Sequence, residues 1–275
     1  MNNIYGKNVL VTGASRGIGE AVAKAFAAEG CSVVAVSRNC EEKTEQMPGG
    51  GSITYRRMNV SDEASVEKVV SSMERVDIAF LAAGMGVAGA AEEMPMDMVR
   101  AQMETNYFGT LTVGSKVLPR MRQQGRGLFI VVGSIAGKVP IPMQGHYSSS
   151  KYALEAYVET VAMEMKAFGV KAVIIEPGDT KTGFTAARKT YVKEGSPYYK
   201  SVIDSVDKMA KDEQGGKSPD TVAAAALKLA GKKNPPPRVA IGFEYKALMF
   251  ILRFLPDRLK QWILGKMYLP VLPGR

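Results

Sequence analysis

Short apolar runs alternate with amphipathic stretches along most of the chain. The runs at 8–12, 32–37, 53–58, 77–82, 128–133, 171–176 and 238–241 are rich in Val and Ile and almost unbroken. Runs of that kind predict strands covered on both faces. Between them, apolar residues recur at helical spacing near 18–29, 64–74, 98–123, 147–168 and 221–229. Ser218-Pro219-Asp220 opens the last of these as an N-cap followed by proline at the first helical position. The alternation predicts an α/β fold, a doubly wound parallel sheet with right-handed crossovers, in one domain over residues 1–275. Two segments break the rhythm. Residues 180–216 make a long excursion rich in Lys, Tyr, Ser and Gly, as a substrate lid with some helix of its own would. Residues 243–275 form a C-terminal helical extension, in which Leu248-Met249-Phe250-Ile251-Leu252 is flanked by Lys246, Arg253, Arg258, Lys260 and Lys266.

Composition narrows the class. At 275 residues, with 46% apolar and 23% charged, the chain is an ordinary globular protein with a full core. It has no signal-type apolar region and no run near the ~18 apolar residues of a spanning helix, so a cytoplasmic location is expected. Cys31 and Cys40 lack metal-type spacing and read as reduced thiols, and no metal is expected. The net charge of +9 comes without a long Lys/Arg block or an aromatic-interleaved basic motif. Nucleic acid is therefore not an expected partner; scattered surface lysine and one or two cofactor-binding arginines account for the charge.

Gly13, Gly17 and Gly19 stand between the first strand and the first helix. Gly13 suits a tight turn, Gly17 lets a pyrophosphate approach the backbone, and Gly19 lets the helix pack closely on the strand. The helix N-terminus then offers unpaired N–H groups to the phosphates. The second strand ends Ser37-Arg38, with no carboxylate until Glu41, where a bare ribose hydroxyl would call for an acid. Arg38, with Arg16 from the loop, suits a 2′-phosphate, so NADP(H) is expected. Tyr147 and Lys151 are four residues apart on a helix and share one face. An ammonium there favours phenolate and predicts a tyrosine pKa below the usual ~10, fit for proton exchange with a carbonyl oxygen.

Taken in order, Thr12-Gly13-Ala14-Ser15-Arg16-Gly17-Ile18-Gly19, Asn59-Val60, Ala82-Ala83-Gly84, Asn106, Gly133-Ser134, Tyr147-x3-Lys151 and Pro177-Gly178-Asp179-Thr180-Lys181-Thr182 strongly resemble the short-chain dehydrogenase/reductase family. The likeness covers about residues 7–240 and implies a Rossmann-like sheet. It also implies a catalytic tetrad. Tyr147 exchanges the proton, and Lys151 lowers its pKa and bonds the nicotinamide ribose. Ser134 polarises the carbonyl, and Asn106 anchors a water that relays protons to Lys151. Cofactor contacts are implied at Ser15, Arg16 and Ile18 with the loop glycines, and at Ser37 and Arg38. Asn59 and Val60 would hold the adenine, with Ala83 and Gly84 beside its ribose. Pro177, Gly178, Thr180 and Thr182 would hold the carboxamide. Ala82 departs from the family, which usually has Asn there to tie the central strand.

The loop 135–144, residues 85–89 and the lid residues Phe184 and Tyr191 are mostly apolar, which suits a bulky hydrophobic ketone or alcohol. Residues 176–184 and the extension look most like family members acting on steroids, retinoids or lipid ketones. A 3-oxoacyl-(acyl carrier protein) reductase stays open, although such relatives usually end near Ile241. A non-catalytic NADP(H)-binding regulator is the reading of another class, and a broken tetrad would be its mark. Here all four positions are filled. The extension reads either as cover for the active-site mouth or subunit interface, or as peripheral membrane contact, which would make the protein membrane-associated. Relatives are mostly homodimers or homotetramers joined through the helices that here carry Asn106 and Tyr147. His146, adjoining Tyr147, reads as surface or loop packing.

Overall fold

The computed structural model describes residues 3–252 and 254–269. In chain order its elements are β1 (Asn8–Thr12), α1 (Gly17–Ala28), β2 (Ser32–Ser37), β3 (Lys43–Gln46), β4 (Ser52–Arg57), α2 (Glu63–Ser71), β5 (Ile78–Leu81), β6 (Val87–Ala88) and α3 (Met96–Met103). A π-helical turn (Glu104–Phe108) leads into α4 (Gly109–Gln124), β7 (Gly127–Val132), α5 (Gly145–Glu164) and β8 (Val170–Pro177). There follow α6 (Phe184–Ala187), β9 (Lys189–Thr190), α7 (Tyr199–Gln214), α8 (Asp220–Ala230), β10 (Arg238–Ile241), α9 (Phe243–Leu252) and α10 (Asp257–Tyr268).

Eight strands form one sheet in the order β10-β8-β7-β5-β1-β2-β4-β3, parallel throughout except for β3. All predicted strands are present, each within one residue at either end. Successive side chains point to opposite faces, and here both faces are covered. Val9, Val11, Leu128, Ile130, Val173 and Ile175 pack with Val22 and Phe26 of α1 and Val222 and Ala226 of α8. Leu10, Phe129, Val131 and Ile174 pack with Val66 of α2, Val113 and Val117 of α4, and Leu154 and Val158 of α5. That is why the runs are unbroken. The chain winds from β1 out to β4 and then returns to β5 on the other side of β1, so a crevice opens where the two directions part.

Two expectations are corrected. β3 was not foreseen, because Lys43-Thr44-Glu45-Gln46 has no apolar member; an exposed, charged edge strand discourages further pairing. The single helix expected at 98–123 is α3, the π-turn and α4, with the inserted turn centred on Asn106. Gly109 N–H reaches back to Glu104 O, and side chains add to the turn's carbonyls: Thr110 donates to Asn106 O at 2.9 Å and Ser61 to Glu104 O at 3.3 Å.

The lid segment has helix of its own in α6 and α7, and β9 pairs with β6. The extension folds back onto it. Leu252, Leu264 and Val139 form a small apolar cluster with Met249, Leu255 and Tyr268, and Ser205 of α7 bonds the Tyr268 carbonyl. The tail thus lies over the loop that follows β7. The other side of α9 is bare: Phe243, Phe250, Ile251 and Phe254 recur at helical spacing and are exposed, as is Trp262 of α10. Arg253 and residues 270–275 of the extension lie outside the described residues. No described helix is long and apolar enough to cross a membrane.

Candidate active site

The β1–α1 turn is a cradle made by missing side chains. A Cβ on Gly13 (φ +67°) would fall 2.7 Å from the Ala82 carbonyl oxygen, and one on Gly19 would meet the Gly13 carbonyl. Gly17 faces the Thr182 side chain. The first N–H groups of α1 have no side-chain cap, since Arg16 at the N-cap makes no such bond. At the end of β2 the Ser37 hydroxyl is buried without a partner. A bare helix N-terminus, a backbone cradle and an orphaned hydroxyl fit a dinucleotide phosphate–ribose chain. Ser15 and Arg16 are exposed and Ile18 half-buried along the same turn. Arg16 lies against Gly183, on the lid side.

Arg38 is exposed at the end of β2. Beside it is an open hollow of about 910 Å³ whose lining sets Glu41 and Glu42 against Asn39, Arg56, Arg57 and Lys68. The last three basic residues were not singled out from sequence. They sit on β4 and α2, and only the strand order brings them next to β2. Asn59 uses its side chain locally, accepting from Ser61 N–H at 3.2 Å, while Val60 packs on Gly109 after the π-turn. The Ala82 departure has a visible substitute: the Thr12 hydroxyl accepts from Ala82 N–H at 3.1 Å and Ala83 N–H at 3.2 Å.

The four proposed catalytic residues converge at the carboxyl ends of β5 and β7. Asn106 is fully buried below Gly84; its amide takes Met85 N–H at 2.8 Å and donates to Met85 O and to Ser150 Oγ, both at 3.0 Å. Ser134 follows β7 and accepts from Ala136 N–H at 3.1 Å. It also stands close enough to the Tyr147 phenol to lower its pKa. One turn along α5, Lys151 is buried and donates to the Val132 carbonyl at 2.9 Å. His146 faces the Ala91 carbonyl at 3.3 Å, away from this group.

The expected pKa of Tyr147 is reversed. Burial pushes the phenol up to about 12, more than the nearby Ser134 lowers it. Lys151 does not counter this, because its ammonium is turned to Val132 and stands 5.7 Å from the tyrosine ring centroid. Burial also draws Lys151 down to about 8, against the pull of Glu155. The phenol is therefore protonated at neutral pH and holds that proton more tightly than a free tyrosine would.

The carboxamide candidates line the exit from β8. Pro177 is buried, Thr180 donates to Gly178 O at 3.0 Å, and Thr182 accepts from Phe184 N–H at 3.2 Å. Sequence reasoning missed Tyr245, whose ring covers Gly178. Its hydroxyl donates to the Asp179 carboxylate at 2.5 Å and accepts from Asp179 N–H at 2.9 Å. It missed Arg188 and Glu213 too, an ion pair in the lid beside Phe184, whose ring lies 5.8 Å from that of Tyr147. Nothing in a lone Arg of a polar segment marks it as buried.

A sequence profile described as short chain dehydrogenase matches residues 7–192. The chain is 35% identical over 267 residues to the 3-ketodihydrosphingosine reductase of Bacteroides thetaiotaomicron, across 94% of this chain and 97% of that one. A short-chain dehydrogenase from Streptomyces avermitilis superposes with a TM-score of 0.80 at 25% identity, over 97% of this chain and 99% of that one. A short chain dehydrogenase/reductase from Burkholderia phymatum, in complex with NAD, superposes with a TM-score of 0.78 over 100% and 99%. At 20% identity that last likeness speaks for the fold alone.

Proposed function

The chain belongs to the short-chain dehydrogenase family, and from that premise we propose an NADP(H)-dependent oxidoreductase that interconverts a ketone and a secondary alcohol on a bulky hydrophobic substrate. The observation that carries this reading is the placing of the Tyr147 phenol close to Ser134 and one helical turn from Lys151, at the carboxyl edge that also bears the glycine cradle.

The glycine cradle and the bare N-terminus of α1 would hold the dinucleotide, which when bound would supply the hydride for the carbonyl carbon. Tyr147 gives its phenolic proton to the carbonyl oxygen, completing the alcohol. Ser134 hydrogen-bonds the same oxygen, where negative charge develops. The Lys151 ammonium would offset the phenolate left on Tyr147 and pass it a proton, which a water anchored at Asn106 would return to Lys151. Arg38 selects the 2′-phosphate, supported by Arg56, Arg57 and Lys68 around the neighbouring hollow and by the missing acid at the end of β2.

Several features favour a lipid ketone. Phe184 flanks Tyr147, the extension packs on Val139 of the loop after β7, and the relative from Bacteroides thetaiotaomicron is named for a ketone lipid. An acyl carrier protein reductase has no use for an extension seated there. A purely regulatory NADP(H)-binding protein has no use for four intact catalytic positions. We also assign the bare stripe of α9, with Trp262, to the surface of an anionic membrane: Phe254 is 70% and Trp262 62% exposed, and Lys246, Arg258 and Lys266 are exposed alongside. Phe108 beside α4, Tyr152 and Met163 of α5 and Phe168 just beyond it are the other exposed large apolar side chains we assign, to a homodimer or homotetramer contact.

A panel of steroid, retinoid, acyl-thioester and long-chain ketones, followed by NADPH absorbance, tests the reaction. Turnover of the hydrophobic ketones is expected, steady at neutral pH and declining as pH rises through about 8, where Lys151 loses its proton. Turnover of the acyl thioesters alone, or a rate flat to pH 10, would contradict it. Arg38→Asp is expected to shift kcat/KM toward NADH by at least about tenfold; an unchanged preference would remove the role given to Arg38. Trp262 is the sole tryptophan, so its emission reports contact with lipid. A blue shift with phosphatidylglycerol vesicles, weaker with phosphatidylcholine alone, is expected; no shift with either would end the membrane assignment.

A further inference from the structure

Arg188 is 9% exposed, at the end of the short helix α6 in the lid. Its Nη2 is ion-paired with Glu213 of α7, whose other carboxylate oxygen accepts from Thr185 at 2.5 Å. Its Nε and Nη1 are buried and have no partner. Idle, buried guanidinium donors are costly, because water that would have bonded them has been removed. A clamp meant only to join α6 to α7 would not need them.

The position of this guanidinium is fixed from two sides. Lys189 N–H donates to Gly86 O at 3.0 Å and Tyr191 N–H to Ala88 O at 2.9 Å, so the backbone just after Arg188 is bound to β6. Gly86 leaves the space: a Cβ there would fall 2.8 Å from Phe184 Cζ and 3.8 Å from Arg188 Cγ. The guanidinium stands 5.9 Å from the Phe184 ring centroid, and that ring lies 5.8 Å from Tyr147. The Phe184 ring thus neighbours both the idle donors and the Tyr147 phenol. The phenol senses both charges, Glu213 raising its pKa and Arg188 lowering it.

We propose that Arg188 and Glu213 form a polar substrate subsite that holds a hydroxyl carried a few carbons from the reacting carbonyl. The proposal rests on the ketone-reductase reading above. The chemistry of the pair selects the ligand. Arg188 is already balanced by Glu213, so an anionic substituent would add an uncompensated buried charge, whereas a hydroxyl adds none. A hydroxyl also matches both partners, accepting from the idle Arg188 donors and donating to the Glu213 carboxylate. The alkyl remainder of the substrate meets Phe184 and the apolar walls.

The test compares two long-chain ketones that differ only in that hydroxyl, using wild type, Arg188→Met and the double variant Arg188→Met/Glu213→Leu. The double variant removes both charges together, so it leaves no unpaired one to unfold the lid. Wild type is expected to prefer the hydroxyketone in kcat/KM by about 30-fold or more, since a buried hydrogen-bonding site rejects the analogue that leaves it unpaired. In both variants the ratio is expected to collapse to about one, mainly through a higher KM for the hydroxyketone. Equal treatment of the two ketones by wild type would overturn the subsite while leaving the reductase reading intact. So would a preference that survives in both variants. Failure of wild type to reduce either ketone would overturn both readings together.

Discussion

The β1–α1 turn and the chain leaving β5 are held in contact at the carboxyl edge of the sheet, and the rest of the site depends on that contact. The Thr12 hydroxyl gathers two successive N–H groups, of Ala82 and Ala83, at 3.1 and 3.2 Å. Gly13 presents no side chain to push that chain away, and Gly19 lets α1 start against the Gly13 carbonyl. The crevice for the dinucleotide opens at the same place, because β1 and β5 mark where the winding reverses. Asn106 hangs from Met85, three residues past the Ala82 contact, and Ser134 follows the next strand over. A slip of one residue in that register would turn every inward side chain outward.

A second constraint fixes the catalytic helix. Glu155, one turn beyond Lys151, is buried and pairs with Lys138 at 3.0 Å and Arg238 at 2.8 Å. Arg238 also reaches Glu176 at 3.0 Å, at the end of β8. Lys138 belongs to the loop of Ser134, so these pairs tie α5 to that loop, to β8 and to β10. Two buried carboxylates cannot both be comfortably charged: burial and the neighbouring Glu155 push Glu176 up to about 8. The same dryness that raises Glu176 raises the Tyr147 phenol. A site built this way keeps both groups protonated at neutral pH.

Much of this was legible in the chain because core strands and glycine turns write themselves locally. Val9, Leu10 and Val11 are apolar in succession since one face of β1 meets α1 and the other meets the α4–α5 side. The glycine spacing records close backbone approach. What was not legible depends on distant partners. The polar edge strand β3 has no pattern of its own, and the π-turn at Asn106 interrupts a helix whose apolar spacing reads straight through it. The direction of the Tyr147 shift was misjudged because spacing shows that Lys151 is near, but not that its ammonium is engaged by Val132 O. Arg188 and Glu213 lie far apart in a polar stretch, and only the folded lid brings them together.

The central claim is that Tyr147 delivers the proton in reduction. Replacing it by Phe keeps the ring against Phe184 and removes only the hydroxyl. The account expects ketone turnover to fall by at least about 100-fold while NADPH affinity, measured directly by titration, stays near that of wild type. Turnover within a few-fold of wild type in that variant would contradict it.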